Sequence, residues 1–284
     1  MARRALAWLV WPILVPIGMA AVRAATERGV PVVGALVGLQ LAMIVIVTAL
    51  ERLTPEHASW NLDRRDLRTD VIHLLVSGVL VSGALRGVIF GLIPSLGLWP
   101  TRLPTWGQLL LALAIADLGS YLTHVATHKV SWLWPFHAIH HSARRLYWLN
   151  STRMHPVDMA STLVISLAPL ALLGAPAPVL VLFDAFAITH LVLQHSNVRL
   201  RFGPLEHVIA CADFHRWHHS AVREEGEANY ASFFSLWDHV FRTFRMAPDR
   251  KPPEDVGLYD AETMPDGWAA QMRRPIQDLA RRRP

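Results

Sequence analysis

Long apolar runs separated by short polar breaks dominate the chain, and the runs have the length of membrane helices rather than of strands. Residues 6–22 are apolar but carry Pro12 and Pro16. With Arg3 and Arg4 ahead of them they have the outline of a signal peptide, yet further apolar runs follow, so they read as a first membrane helix. Residues 30–50 are nearly uniformly apolar and long enough for a hydrocarbon core of about 30 Å. A polar stretch over 51–70 holds Arg52, Arg64, Arg65 and Arg68. Residues 71–98 form the next apolar region, weakened at its far end by Gly87, Gly91 and Pro94; Arg86 within it predicts a snorkelling side chain or the point where the helix leaves the core. Residues 106–123 make another span that runs directly into a histidine cluster. Residues 159–189 are apolar too, but Pro169, Gly174, Pro176 and Pro178 break them into a hairpin whose halves are short for a full crossing, which predicts a re-entrant element. Beyond Thr243 the chain turns polar and reads as a solvated tail, with contact to anionic lipid as the sharper alternative for its closing Arg281-Arg282-Arg283-Pro284.

This pattern predicts an all-α integral membrane protein with about four transmembrane helices, a re-entrant helical hairpin and a histidine-rich helical cap. It divides the chain into transmembrane helices (1–105), a histidine-bearing region (106–247) and a polar tail (248–284). Arginine placement orients it. Arg3 and Arg4 precede the first span and four arginines fill the 51–70 loop, whereas the short loops around Arg23, Arg28 and Arg102 carry fewer. The positive-inside rule puts the arginine-rich ends in the cytoplasm, and four crossings return the histidines to that side of an inner or plasma membrane.

Composition supports the same class. Hydrophobic residues make up 52% and charged residues 17%, against about 25% charged in soluble domains. The net charge of +5 comes from arginine, with Lys129 and Lys251 the only lysines. These arginines flank apolar runs and do not interleave with base-stacking aromatics, so lipid headgroups and not nucleic acid are the expected partner. The single cysteine, Cys211, excludes an intrachain disulfide and reads as a small buried residue.

The candidate chemistry lies in histidine. His124 and His128 read H-x-x-x-H; His137, His140 and His141 read H-x-x-H-H; His215, His218 and His219 repeat that triplet. Positions i, i+3 and i+4 lie on one side of a helix, so each cluster is expected to aim its imidazoles at one place. Neutral imidazole binds iron, zinc, copper and nickel, and eight such nitrogens exceed the needs of one tetrahedral ion, so two metals are predicted. His195 is a further expected ligand; His190, five residues earlier, joins it only if a local bulge turns both inward. His155 is a ligand or outer-partner candidate, and Asp117, two helical turns before His124, is placed to orient an imidazole, as carboxylates do for metal-bound histidines. Asp238 is the other candidate of that kind. No Glu-x-x-His pair accompanies the clusters, which implies an all-histidine shell. Trp132, Trp134, Trp148 and Trp217 read as interfacial anchors or as the lining of a substrate route. A transporter would carry its ionisable groups near the membrane midplane and a bis-histidine haem protein would use single facing histidines; a zinc hydrolase would need a general-base glutamate. A histidine-rich metal-binding or transport protein that catalyses no reaction stays the alternative.

Asp117-x-x-x-Tyr121-x-x-His124-x-x-x-His128, Leu133-Trp134-x-x-His137-x-x-His140-His141-Ser142, Asn150-x-x-x-x-His155-Pro156, Gln194-His195-Ser196-Asn197, Phe214-His215-x-x-His218-His219, Asn229-Tyr230 and Trp237-Asp238-x-x-Phe241-x-Thr243 follow one another over nearly half the chain. In order and spacing this arrangement resembles the fatty acid hydroxylase/sterol desaturase superfamily of membrane-bound non-haem di-iron oxygenases. The resemblance implies two irons bound by the histidines, with no catalytic side chain beyond the ligands and with O2 as co-substrate. It implies hydroxylation or desaturation of an unactivated C–H bond in a fatty acyl, sterol, alkyl ether or carotenoid lipid taken from the bilayer. Electrons would come from a separate donor protein or reductase. Val125, Ala212-Asp213 and the ending Asp238-His239-Val240-Phe241-Arg242-Thr243 depart from the family pattern, so no branch's substrate is carried over.

Overall fold

The computed structural model describes residues 2–247, 250–259 and 262–281; residues 282–284, the end of the basic tail, lie outside the described residues. Among the described residues the fold is helical, with only two isolated bridges of extended backbone. A segment in hydrocarbon must satisfy its backbone internally, which a helix does. Helices α1 (Ala2–Glu27) and α2 (Val32–Leu53) form the first pair. Helix α3 (Leu67–Leu92) contains a π-helical stretch at Leu74–Val81, and α4 is Thr105–Lys129. After the short α5 (Trp134–His141) comes the hairpin of α6 (Pro156–Leu173) and α7 (Ala177–His195), then α8 (Ala212–His218) and, near the C-terminus, α9 (Trp268–Arg281).

Six helices, α1 to α4, α6 and α7, are long and apolar enough to cross a membrane. They leave large apolar side chains uncovered, among them Val33 at 73%, Leu80 at 65% and Leu92 at 77% exposure. Such faces suit lipid and not water. The chain is an all-α, multi-pass membrane protein.

The two halves of the hairpin are longer than the expectation of short halves. Its helices have 18 and 19 residues, or about 27–29 Å at the helical rise. The Leu96 N–H donates to the Leu172 carbonyl at 2.8 Å, so the hairpin tip lies beside the loop that leads into α4. Most of the breakers sit where helix ends tolerate them: Gly174 is a left-handed cap (φ 84°) ending α6, and Pro178 lies in the first turn of α7. Of the hairpin's breakers only Pro169 lies in a helix interior. Arg86 pairs with Asp184 of α7, so a charge on an apolar helix is matched by its opposite.

Helix α7 packs against α1, α2, α4 and α8. Helices α4 and α6 approach closely at Gly119, where a β-carbon would come within 2.7 Å of the Ile165 carbonyl oxygen. This contact holds the histidine end of α4 beside the start of α6. The tail is not a solvated extension. The Gly257 N–H donates to the His219 carbonyl at 3.1 Å, Ser220 and Val256 form a bridge, and buried Gln271 of α9 meets His73 Nε2 at 2.8 Å. The sequence concealed this because α9 is amphipathic and buries only a narrow stripe, Gln271 and Pro275.

Candidate metal centre

The histidine ends of α4 and α7 meet α5 and α8, and their imidazoles assemble into two adjacent groups. His124, His128, His137, His141 and His218 form one; His140, His195, His215 and His219 form the other. Within each group one ring nitrogen per residue lies within 4.8 Å of all the rest. Each H-x-x-H-H triplet is divided between them, contrary to the expectation that each cluster aims at one place. At 100° per residue, i and i+4 diverge by only about 40°, whereas i+3 and i+4 diverge by about 100°. His137 and His141 therefore face one group while His140 faces the other, and His215 and His219 face the second while His218 turns to the first.

The four-histidine group is a closed ring of Nε2 atoms. His140 lies 3.3 Å from His195 and 3.1 Å from His219, and His215 lies 2.9 Å from each of these two. Neutral imidazole nitrogen either donates one hydrogen bond or accepts one. A ring of four nitrogens at such distances is poorly served by hydrogen bonds alone. Nitrogens about 2.1 Å from a shared cation stand roughly 3.0–3.4 Å apart, so one ion satisfies all four.

The five-histidine group is oriented from outside. His124 Nδ1–H donates to the Tyr230 carbonyl and His218 Nδ1–H to the Ala228 carbonyl, both at 2.7 Å. His137 Nδ1 meets Asp158 Oδ2 at 2.9 Å. Each bond fixes the tautomer and leaves Nε2 as a lone pair; these three Nε2 atoms are buried without a hydrogen-bond partner. His128 and His141 add Nε2 atoms 3.1 Å apart. Burial, reinforced by neighbouring histidines, holds His140, His141, His215, His218 and His219 well below the usual 6.5, so they are neutral and able to ligate. Converging unpartnered lone pairs and a dry surround fit metal ions.

The remaining candidates lie elsewhere. His190 joins neither group: its Nδ1 accepts from Trp11 Nε1 at 2.9 Å and its Nε2 faces the Ser232 carbonyl at 3.1 Å, so both nitrogens are engaged. No bulge turns it inward, and α7 remains α-helical through His195. His155 caps α6 by accepting from the Val157 N–H at 3.1 Å, while its Nε2 lies 3.4 Å from the Met272 carbonyl. Asp117 touches no imidazole. Its carboxylate accepts from the backbone N–H groups of Ser232, Phe233 and Phe234, and that of Asp238 from Tyr230 and Ala231. Together they clamp the loop whose 228 and 230 carbonyls orient His218 and His124. Asn229 makes the loop possible by adopting φ 61° and holding Phe214 and Arg245 through its side chain. The carboxylate that does orient a histidine is Asp158. Sequence reasoning did not assign it, since 21 residues separate it from His137 and only its place in the first turn after His155-Pro156 marked it. Cys211 is buried as expected and caps α8 through Sγ.

The sequence profile described as fatty acid hydroxylase matches residues 109–243. An ornithine lipid hydroxylase of Rhizobium tropici is 34% identical over 254 residues, covering 85% of this chain and 76% of that protein. An alkylglycerol monooxygenase of Danio rerio is 30% identical over 152 residues (54% of this chain, 33% of the relative), and a cholesterol 25-hydroxylase of Rattus norvegicus is 26% identical over 164 (54% and 53%). The chain thus spans about a third and about half of these two. No solved structure matches the chain.

Proposed function

The chain belongs to the fatty acid hydroxylase family, and from that premise we propose that it hydroxylates an amino-acid lipid of the ornithine-lipid type at a di-iron centre held by nine histidines. The observation that carries the reading is the pair of converging imidazole groups at the ends of membrane helices. The substrate class comes from the R. tropici relative, which matches most of this chain. The ligand set is His124, His128, His137, His141 and His218 for one iron and His140, His195, His215 and His219 for the other. His190 and His155 stay outside it because their nitrogens are taken. Two irons held there supply O2 activation for insertion of one oxygen atom into an unactivated C–H bond.

The chain's own residues do the rest. Asp158 and the Ala228 and Tyr230 carbonyls keep protons on the Nδ1 atoms of His137, His218 and His124, so that Nε2 faces inward. The segment around Gly257 and helix α9 closes the histidine end against water. Helices α1–α4, α6 and α7 give a lipid access from the bilayer, with the histidine end on the cytoplasmic side by the arginine bias. Electrons come from a separate carrier protein. The catalytic region of this reading is 106–247.

Metal analysis of the detergent-purified protein beside a His218→Ala/His219→Ala variant tests the site; two irons per chain, lost in the variant, are expected. Haem, or no metal after anaerobic iron reconstitution, would overturn it. Expression in a bacterium that makes unmodified ornithine lipid tests the substrate, and intact-lipid mass spectrometry should show gain of one oxygen. Oxygenation confined to added alkylglycerols or sterols would replace the substrate class and leave the metal site standing.

A further inference from the structure

Trp134 is set apart by its position between the five-histidine group and a surface cleft. Its ring centroid lies 5.1 Å from that of His128, 5.6 Å from His141 and 6.4 Å from His137. On the other side Tyr259 stacks on it at 5.5 Å with the planes only 6° apart. Tyr259 is fully buried, and the segment that carries it is pinned by the Gly257 bond to the His219 carbonyl. Trp134 itself is half-buried. It lines a cleft of about 280 Å³ together with Leu258, Glu262, Thr263, Met264 and Arg274, and its Nε1 points at Glu262 at 3.4 Å. Tyr230 also touches this group, 5.1 Å from His128 and 5.4 Å from His124, but it is completely buried. Trp134 therefore joins solvent to three ligands of one ion through a single conjugated ring.

We propose that Trp134 is where electrons cross from the cleft to the five-histidine group, with Tyr259 fixing the plane of the indole; this rests on the metal reading of that group. Hydroxylation of one C–H bond by one O2 consumes two electrons and two protons and releases one water, so two one-electron transfers are needed per turnover. In each, a one-electron carrier protein at the cleft is oxidised by one electron and the bound metal is reduced by one. No bond forms or breaks, and the indole ends unchanged. The C-terminal segment, by supplying Tyr259, then belongs to the electron route as well as to the seal.

Photoinjection tests this without the natural donor. Cys211 is buried, so a ruthenium polypyridyl photoreductant can be attached selectively to a Thr263→Cys protein. After a flash, the decay of ferric absorbance is followed with Trp134 intact and in Trp134→Phe, with iron content measured on the same samples. Trp134→Phe should slow the reduction at least several-fold at unchanged iron content, while Trp106→Phe, which removes an exposed indole at the start of α4, leaves the rate near that of the parent. Equal rates with and without the indole would overturn the proposal. Should Trp134→Phe not fold, the label is moved in the Trp134 protein to Lys251→Cys, at the cavity beside Trp217. Slower reduction from there supports the route and equal rates overturn it. A parent protein that takes up no iron would instead sink the metal reading, a result distinct from iron present with an unchanged rate.

Discussion

The five-histidine and four-histidine groups draw on the same two triplets, yet they are held in different ways. In the first, His124, His137 and His218 each donate Nδ1–H to a partner from another part of the chain: a loop carbonyl, a carboxylate on α6 and a second loop carbonyl. In the second, only His195 has such a partner, the Leu191 carbonyl of its own helix at 3.2 Å. The Nδ1 atoms of His140, His215 and His219 are buried without one. The first group is thus preorganised from outside, while the second depends on its helices and on an ion that the Nε2 ring would enclose. Outer partners are where mutation should tell the two apart.

The largest effect is expected from removing one ligand of each group in turn. His218→Ala should lose the ion of the five-histidine group and His219→Ala that of the other. Each should retain about half the iron and lose lipid hydroxylation, because O2 chemistry at a di-iron centre needs both; equal loss of all iron in both variants would show that the groups act as one site. Next is Asp158→Asn, which should weaken metal binding by roughly 10–100-fold, as outer-partner losses do. Chelator competition should place that loss in the five-histidine group alone. Acid is a third probe. In the metal-free protein His140, His141, His215, His218 and His219 are held below 6.5, so the unfolded chain binds protons first as pH falls. Their contribution to stability should be intact above about pH 6.5 and decline below it, seen as a falling thermal midpoint that iron loading offsets. His190→Phe should have the smallest effect on metal. Iron content should stay unchanged, while the lost Trp11 and Ser232 contacts cost about 1–3 kcal/mol of stability.

The clearest features in the sequence were those with a local physical code. Apolar runs of membrane length marked the helices, and the histidine spacing marked the residues that converge in the two groups. The 159–189 region misled because its prolines and glycine looked like breaks within short halves, whereas all but Pro169 lie at helix ends. Asp117 was picked out for its spacing to His124, but a shared helix face says nothing of what stands opposite. Its carboxylate meets a loop more than a hundred residues away. The tail was misread for a related reason, since a polar amphipathic helix with a narrow buried stripe looks the same in solvent or docked.

By itself the sequence determined the membrane-helical class, the family and the histidines among which the two converging groups are found, because hydropathy and helical periodicity act over a few turns. Tertiary structure alone decided how the two triplets divide, which loop and which aspartate aim the imidazoles, and that His190 serves α1 through Trp11. It also brought Tyr259 against Trp134. Those outcomes depend on which helices cross and how closely, as at Gly119 against Ile165, and on where buried hydrogen-bonding groups find partners. Such contacts join residues far apart in the chain, and no local pattern encodes them.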